Sequence, residues 1–303
     1  MLDTLEFKAP ANGERRPVRW PRKVDLFGVE VSVTSYDEAV TAILQAAGQG
    51  LPGIVSCHAV HALVTASRAP SLRDKVNTFE LVSPDGQPVR WALNLLHGAR
   101  LSERVYGPEL MLRLCRGAAE ASIPIYLYGG NPAVIEKLQA NLLGQYPKLA
   151  IAGAEAPPFR PLTAEEDRAV VERINRSGAG LVFIGLGCPK QDLFAYEHRE
   201  TVKAVQVCVG AAFDFHAGVK KMAPAWMQRH GLEWLYRLSQ EPGRLWQRYF
   251  VTNSIFLAQL GVSLCRGRRL QRSMPRRKRR PSAAPADSGS QSRAQSSRPR
   301  PHS

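Results

Sequence analysis

Between residues 53 and 209 the chain alternates six short apolar runs with longer amphipathic stretches, and few folds accommodate that rhythm. The apolar runs fall at 53–57, 79–83, 123–128, 149–152, 181–186 and 205–209. Helical patterns occupy 58–77, 87–97, 108–121, 132–145, 163–176 and 189–200, with a further one at 224–238. Strands this short and this uniformly apolar are buried on both faces, and the intervening helices supply the cover. The pattern predicts a doubly wound α/β domain with a mostly parallel sheet over 24–220. Ahead of it, 25–33 alternates around Gly28 as a short strand or hairpin, and a capped helix runs from Ser35 or Asp37 to about Ala47. A hydrophobic content of 44% in 303 residues suits such a core and excludes a collagen-like, coiled-coil or wholly disordered chain.

Ligands of parallel sheets bind at the carboxyl ends of the strands, so chemistry is sought just after each apolar run. Those positions hold Ser56-Cys57-His58, Pro84-Asp85-Gly86, Gly129-Gly130-Asn131, Gly185-Leu186-Gly187 followed by Cys188-Pro189-Lys190-Gln191, and Gly210-Ala211-Ala212-Phe213-Asp214. Asp85 is either a helix N-cap or a general base that accepts a hydroxyl proton. Gly129 and Gly130 form either a tight strand-to-helix turn or an amide cradle for phosphate, with Asn131 as N-cap before Pro132. At 185–191, Gly187 permits close backbone approach, while Lys190 and Gln191 offer donors at a helix start. Asp214 reads as a turn cap or as a carboxylate beside aromatic rings. His58 and His61 have no third ligand nearby in sequence, so they are read as core or pocket wall and no metal is expected.

Past Val219 the texture changes. Residues 221–265 are dense in Trp, Tyr and Arg, and Arg237, Arg244 and Arg248 recur at intervals of 7 and 4, near one helical face and suited to a diphosphate. The 17 residues from 249 to 265 carry no charge, but Thr252, Asn253, Ser254, Gln259 and Ser263 dilute them. That run falls short of the about 20 apolar residues of a membrane span and suits a helix lying on a surface. The chain has 41 Lys and Arg against 26 Asp and Glu, a net charge of +15. Residues 263–303 hold 12 of those bases and one acid, leaving about +4 on everything before them. The basicity therefore belongs mostly to a Ser/Pro/Arg-rich tail, 266–303, expected to be disordered. Residues 1–23 mix acids, bases and Pro with no apolar core and read as a disordered lead-in, neither signal peptide nor anchor. Five Cys without a CxxC pair read as reduced thiols of a cytosolic protein.

Pro84-Asp85-Gly86, Arg104-Val105-Tyr106-Gly107, Tyr126 to Gly130, Gly185 to Gln191, Gly210 to Phe215, and Gly231 to Arg237 with Glu241 to Tyr249 occur together, in order, over about 25–260. As a set they resemble the WecG/TagA/CpsF family of bacterial glycosyltransferases. The resemblance implies a Rossmann-like domain with a C-terminal helical, membrane-docking appendage. It also implies an inverting, metal-independent transferase without a cofactor. Such an enzyme moves a hexose, typically N-acetylmannosamine, from a UDP-sugar donor to a polyprenyl-diphosphate-linked acceptor at the inner face of the cell membrane. Carried over, Asp85 is the general base. Arg104, Gln191 and Asp214 match pocket residues, Ser56 and His58 stand at a ligand-contacting position, and Arg237, Arg244 and Arg248 close over the diphosphate. Gly129, Gly130, Gly187 and Lys190, read from their places after strand ends, complete the expected substrate contacts. The family's usual Thr-x-Asn is here Ser56-Cys57-His58, its acidic residue after Pro-Lys-Gln is Asp192, and its Arg before Ala-Pro is Met222. His58 in place of an amide leaves glucosyl or other hexosyl transfer in exopolysaccharide assembly as an alternative. The uncharged helix and the polybasic cluster behind it form a two-signal attachment to an anionic membrane surface. Self-association into a homo-oligomer is a further possibility. A protein binding nucleic acid through the Arg-rich tail is the rival of a different class, though no recognition motif accompanies the tail, and no GxGxxG supports an NAD enzyme.

Overall fold

The computed structural model describes residues 17–273. The chain opens with an antiparallel hairpin, β1 (Lys23–Leu26) and β2 (Val29–Ser32), turned at Phe27-Gly28. Helix α1 (Tyr36–Gly48) starts where Ser35 accepts the amide of Glu38 while the Glu38 carboxylate accepts the amide of Ser35. Then follow β3 (Gly53–His58), α2 (Val60–Arg68), α3 (Pro70–Asn77), β4 (Leu81–Pro84), α4 (Gln87–His97) and α5 (Gly107–Glu120). The second half of the body adds β5 (Ile125–Gly129), α6 (Pro132–Gln145), β6 (Ile151–Glu155), α7 (Ala164–Arg176), β7 (Leu181–Gly185), α8 (Lys190–Glu197), β8 (Val205–Cys208) and α9 (Ala212–His216). The predicted helix at 58–77 is two helices, because Ala69 precedes Pro70 and takes an extended conformation that breaks the first and lets the proline start the second.

Six strands, β3 to β8, form one all-parallel sheet in the order β4-β3-β8-β7-β5-β6. The sheet is α/β and doubly wound, as the alternation predicts. Successive strand residues enter opposite cores. Val55, Phe183 and Val207 pack toward α1, α5 and α6, whereas Ile54, Val182 and Ile184 pack toward α2, α3, α4, α7 and α8. With helices on both faces of the sheet, its carboxyl edge is the place left open to a ligand.

Beyond the sheet, the predicted helix at 224–238 is again two. Helix α10 (Ala225–Arg229) stops at Gly231, whose φ of 71° ends it, and α11 (Glu233–Gln240) follows. Glu241 then leaves helical geometry ahead of Pro242, which opens α12 (Pro242–Ser273), a single helix of 32 residues. Arg237 therefore sits on α11 and Arg244 and Arg248 on α12, not on one helical face. The uncharged stretch lies within α12 and one side of it packs on the body. Phe256 is buried, its ring set edge-on to Phe27 at 5.4 Å, and Gln259 hydrogen-bonds Ser67 of α2. Among the described residues no helix is long and apolar enough to cross a membrane. The lead-in before 17 and the basic tail from 274 onward lie outside the described residues.

Candidate active site

A cavity of about 330 Å³ opens over the carboxyl ends of four adjacent strands, β4, β3, β8 and β7, with α11 and α12 as its roof. Its floor is backbone and small side chains, as the glycines read from the sequence require, and its polar groups arrive from separate elements.

Asp85, one residue beyond β4, is the carboxylate at the floor. The N-cap of α4 is Gly86, with no side-chain bond, so Asp85 does not cap the helix that follows it. Instead its Oδ2 accepts the amide of Gly107, the first residue of α5, at 2.8 Å. One oxygen is thus fixed by a helix N-terminus. Burial pushes the Asp85 pKa up, against the lowering effects of Arg104 and the Gly107 amide, and so makes the carboxylate a stronger base than an exposed one.

Behind Asp85 a buried network ties the body to the roof. Arg104 donates to Glu233 at 2.8 Å and to Gln228 at 3.1 Å, and its guanidinium lies 4.1 Å above the ring of Tyr106. The Tyr106 hydroxyl donates to the other Glu233 oxygen at 2.8 Å, which also lies 3.2 Å from Arg237. Arg237 then extends over the ring of Phe215 into the cavity. Arg104 itself lines no part of the cavity; it is held beneath it by Glu233.

The loop after β7 is closed on itself. Gly187 donates its amide to the side chain of Gln191 at 3.1 Å, and the Gln191 amide donates to the Gly187 carbonyl, so buried Gln191 presents the loop to the cavity. Asp214 faces the same space and pairs with Lys220 at 2.9 Å, and Lys220 reaches Glu241 of the roof at 3.2 Å. Arg248 completes the polar lining from α12, opposite His61 of α2. Burial, reinforced by the charge of Arg248, lowers the His61 pKa to about 4, so its ring stays neutral near pH 7.

The structure thus gathers Asp85, Gly187, Gln191, Asp214, Arg237 and Arg248 into one cavity, and leaves the other expected contacts outside it. Ser56 and His58 point to the opposite face of β3 from Cys57, where Ser56 donates to Asp192 at 2.6 Å and His58 lies 3.5 Å from the same carboxylate. Gly129 ends the next strand over, β5, and Gly130 follows it. Gly129 has a φ of 138°, and a Cβ there would meet the Gly185 backbone at 2.6 Å, so close packing explains the residue. Lys190 is exposed and does not line the cavity. The side chain of Arg244 lies outside the described residues.

Glu233 and Lys220 are not among the residues the sequence points to, whereas His61, expected as core or pocket wall, does line the cavity. His61 is the second residue of α2, which starts just past the end of β3, whereas nothing local marks Glu233 or Lys220. Among the described residues no group of three or more His, Cys, Asp or Glu is placed to hold a metal ion. Residues 24–270 match the family model described as Glycosyl transferase WecG/TagA/CpsF family.

Proposed function

The chain belongs to the WecG/TagA/CpsF family, glycosyltransferases of cell-surface polysaccharide synthesis, and on that premise we propose that it moves an N-acetylmannosamine-like hexose from a UDP-sugar to a polyprenyl-diphosphate-linked sugar. Asp85 is the general base. Its carboxylate takes the proton of the acceptor hydroxyl as that oxygen attacks C1 of the donor hexose. The new C–O bond forms while the bond from C1 to the UDP phosphate oxygen breaks, and the electron pair leaves with the diphosphate. A single displacement from the face opposite the leaving group inverts the anomeric centre. Arg237 and Arg248 on the roof offset the charge that develops on the leaving UDP, so this reading calls for no metal.

The observation that carries the reading is the pairing across one cavity of a carboxylate of raised pKa with two guanidinium groups on a separate roof. A base and a cluster of cations are what a proton abstraction and a departing diphosphate need on opposite faces of one anomeric carbon. The test offers the full-length protein a panel of UDP-sugars with a polyprenyl-diphosphate-linked sugar, following UDP release and the extended lipid product. Consumption of UDP-N-acetylmannosamine supports the proposal, and consumption of UDP-glucose in its place supports glucosyl transfer. No product with any UDP-sugar overturns it. Work on a lipid-borne acceptor would place the enzyme at the inner face of the membrane.

A further inference from the structure

A second concavity, a groove of about 630 Å³, runs between α4 and the α11–α12 pair and meets the candidate active site at Tyr249, which lines both. Its walls carry Trp91 and Leu95 from α4, Trp234 from α11, and Trp246 and Leu257 from α12, and no charged residue is part of the lining. Leu95 and Leu257 are 60% and 65% exposed, and the three Trp rings are also open to solvent. Apolar surface of that extent concentrated in one place marks a site that something covers. The groove is a built feature: the turn at Gly231 lies so close to Trp91 that a Cβ there would stand 2.9 Å from its ring.

We propose that this groove holds the first isoprene units of the acceptor lipid, so that the lipid's sugar-bearing head enters the cavity past Tyr249 while Arg237 and Arg248 stay with the diphosphate of the donor. The proposal rests on the transferase reading above and extends it to the lipid's chain. The two concavities are complementary to the two halves of one amphipathic molecule. A polar cavity lies on one side of Tyr249, and an uncharged aromatic wall lies on the other. Tyr249 at the seam has the matching character, an apolar ring with a polar tip. A bilayer surface would bring phosphate headgroups to this face, and the groove offers them no basic partner. A hydrocarbon chain is recognised by the area it buries, so the groove should act on acceptor KM more than on turnover.

Transfer is measured in detergent with two acceptors sharing one diphosphate-sugar head, one on a long polyprenyl chain and one on a chain of a single isoprene unit. Wild-type protein should favour the long chain by about tenfold or more in kcat/KM. Leu95→Glu and Leu257→Glu should each erase most of that preference through the KM of the long acceptor. Equal preference in variants and wild type overturns the proposal, as does equal loss on both acceptors, which would make the groove a support of the fold. It is also overturned if the variants lose only binding to acceptor-free phosphatidylglycerol vesicles, or only self-association by light scattering. Wild-type protein that extends the short acceptor without preferring the long one sinks the groove and leaves the transferase reading standing. Wild-type protein that extends neither sinks both.

Discussion

At the scale of single residues, the site turns on how Asp85 and His61 are charged. Asp85 has a pKa raised from the usual 3.8 by burial, so the folded protein binds its proton more tightly than the unfolded chain does. Ionising it therefore costs stability as pH rises above 3.8 through the higher folded value, the reverse of a salt-bridged carboxylate. Asp85→Asn removes that cost and can keep the bond from Gly107. The variant should hold or raise its Tm and still bind UDP, while transfer falls by roughly 10²–10⁴. Near-wild-type turnover would exclude Asp85 as the base. In wild-type protein the acid limb of the kcat/KM profile should lie above the ordinary carboxylate range. His61 cannot produce that limb if its pKa is about 4, because between 6.5 and 4 the folded protein keeps the ring neutral. Its contribution is a loss of stability as pH falls through that window, since the unfolded chain takes up the proton first. His61→Asn should leave the acid limb in place and flatten the fall of Tm between those pH values; an acid limb that vanished would reassign the base.

At the scale of elements, the contact between sheet edge and roof is what makes a site from separate parts. Glu233 receives Arg104, Tyr106 and Arg237 together in a buried setting. Truncating one partner of such a network strands a buried charge, and Glu233→Ala should cost about 3–5 kcal/mol if the roof unfolds only with the body. If the roof opens separately, global Tm moves little and proteolysis between α9 and α12 accelerates instead, with the KM for UDP-sugar rising. Neither change would show that the network is incidental. The elements themselves were largely legible, because a strand or an amphipathic helix is written in adjacent residues. The breaks at Pro70, Gly231 and Pro242 follow from local backbone chemistry, although the residue pattern on either side of each reads as one continuous helix. The facing of Ser56 and His58 was not legible. A strand buried on both sides has no polar alternation to reveal which residues turn toward the ligand edge and which toward Asp192, 136 residues on. Asp85, Gly187, Gln191, Asp214, Arg237 and Arg248 could be picked because they follow strand ends or sit in the basic-aromatic segment. Glu233 could not, since its meaning lies in a partner 129 residues earlier.

At the scale of the whole molecule, charge and apolar surface are divided along the chain in a way that bears on where it works. The first 262 residues carry about +4 and include the sheet and the cavity, whereas 263–303 carry +11. Exposed apolar side chains outside the groove, Val251 and Val262, lie on α12, the helix that leads into that basic segment. Apolar insertion and electrostatic attraction would thus act at neighbouring points, and each base near an anionic surface contributes about 1 kcal/mol. Attachment of this kind weakens as salt shortens the Debye length from about 10 Å at 0.1 M to about 3 Å at 1 M. Full-length protein should cosediment with phosphatidylglycerol vesicles at low salt, bind neutral phosphatidylcholine vesicles weakly, and be released in 1 M salt. A chain ending at residue 273 should lose most of the salt-sensitive binding, yet retain transfer to an acceptor dispersed in detergent, because the cavity is complete without the tail. Binding that ignores both lipid charge and salt would remove the tail from membrane attachment. If an excess of RNA stripped the full-length protein from vesicles while transfer in detergent stayed intact, the tail would be a general polyanion binder. The catalytic body would then have to find its lipid through α12 alone.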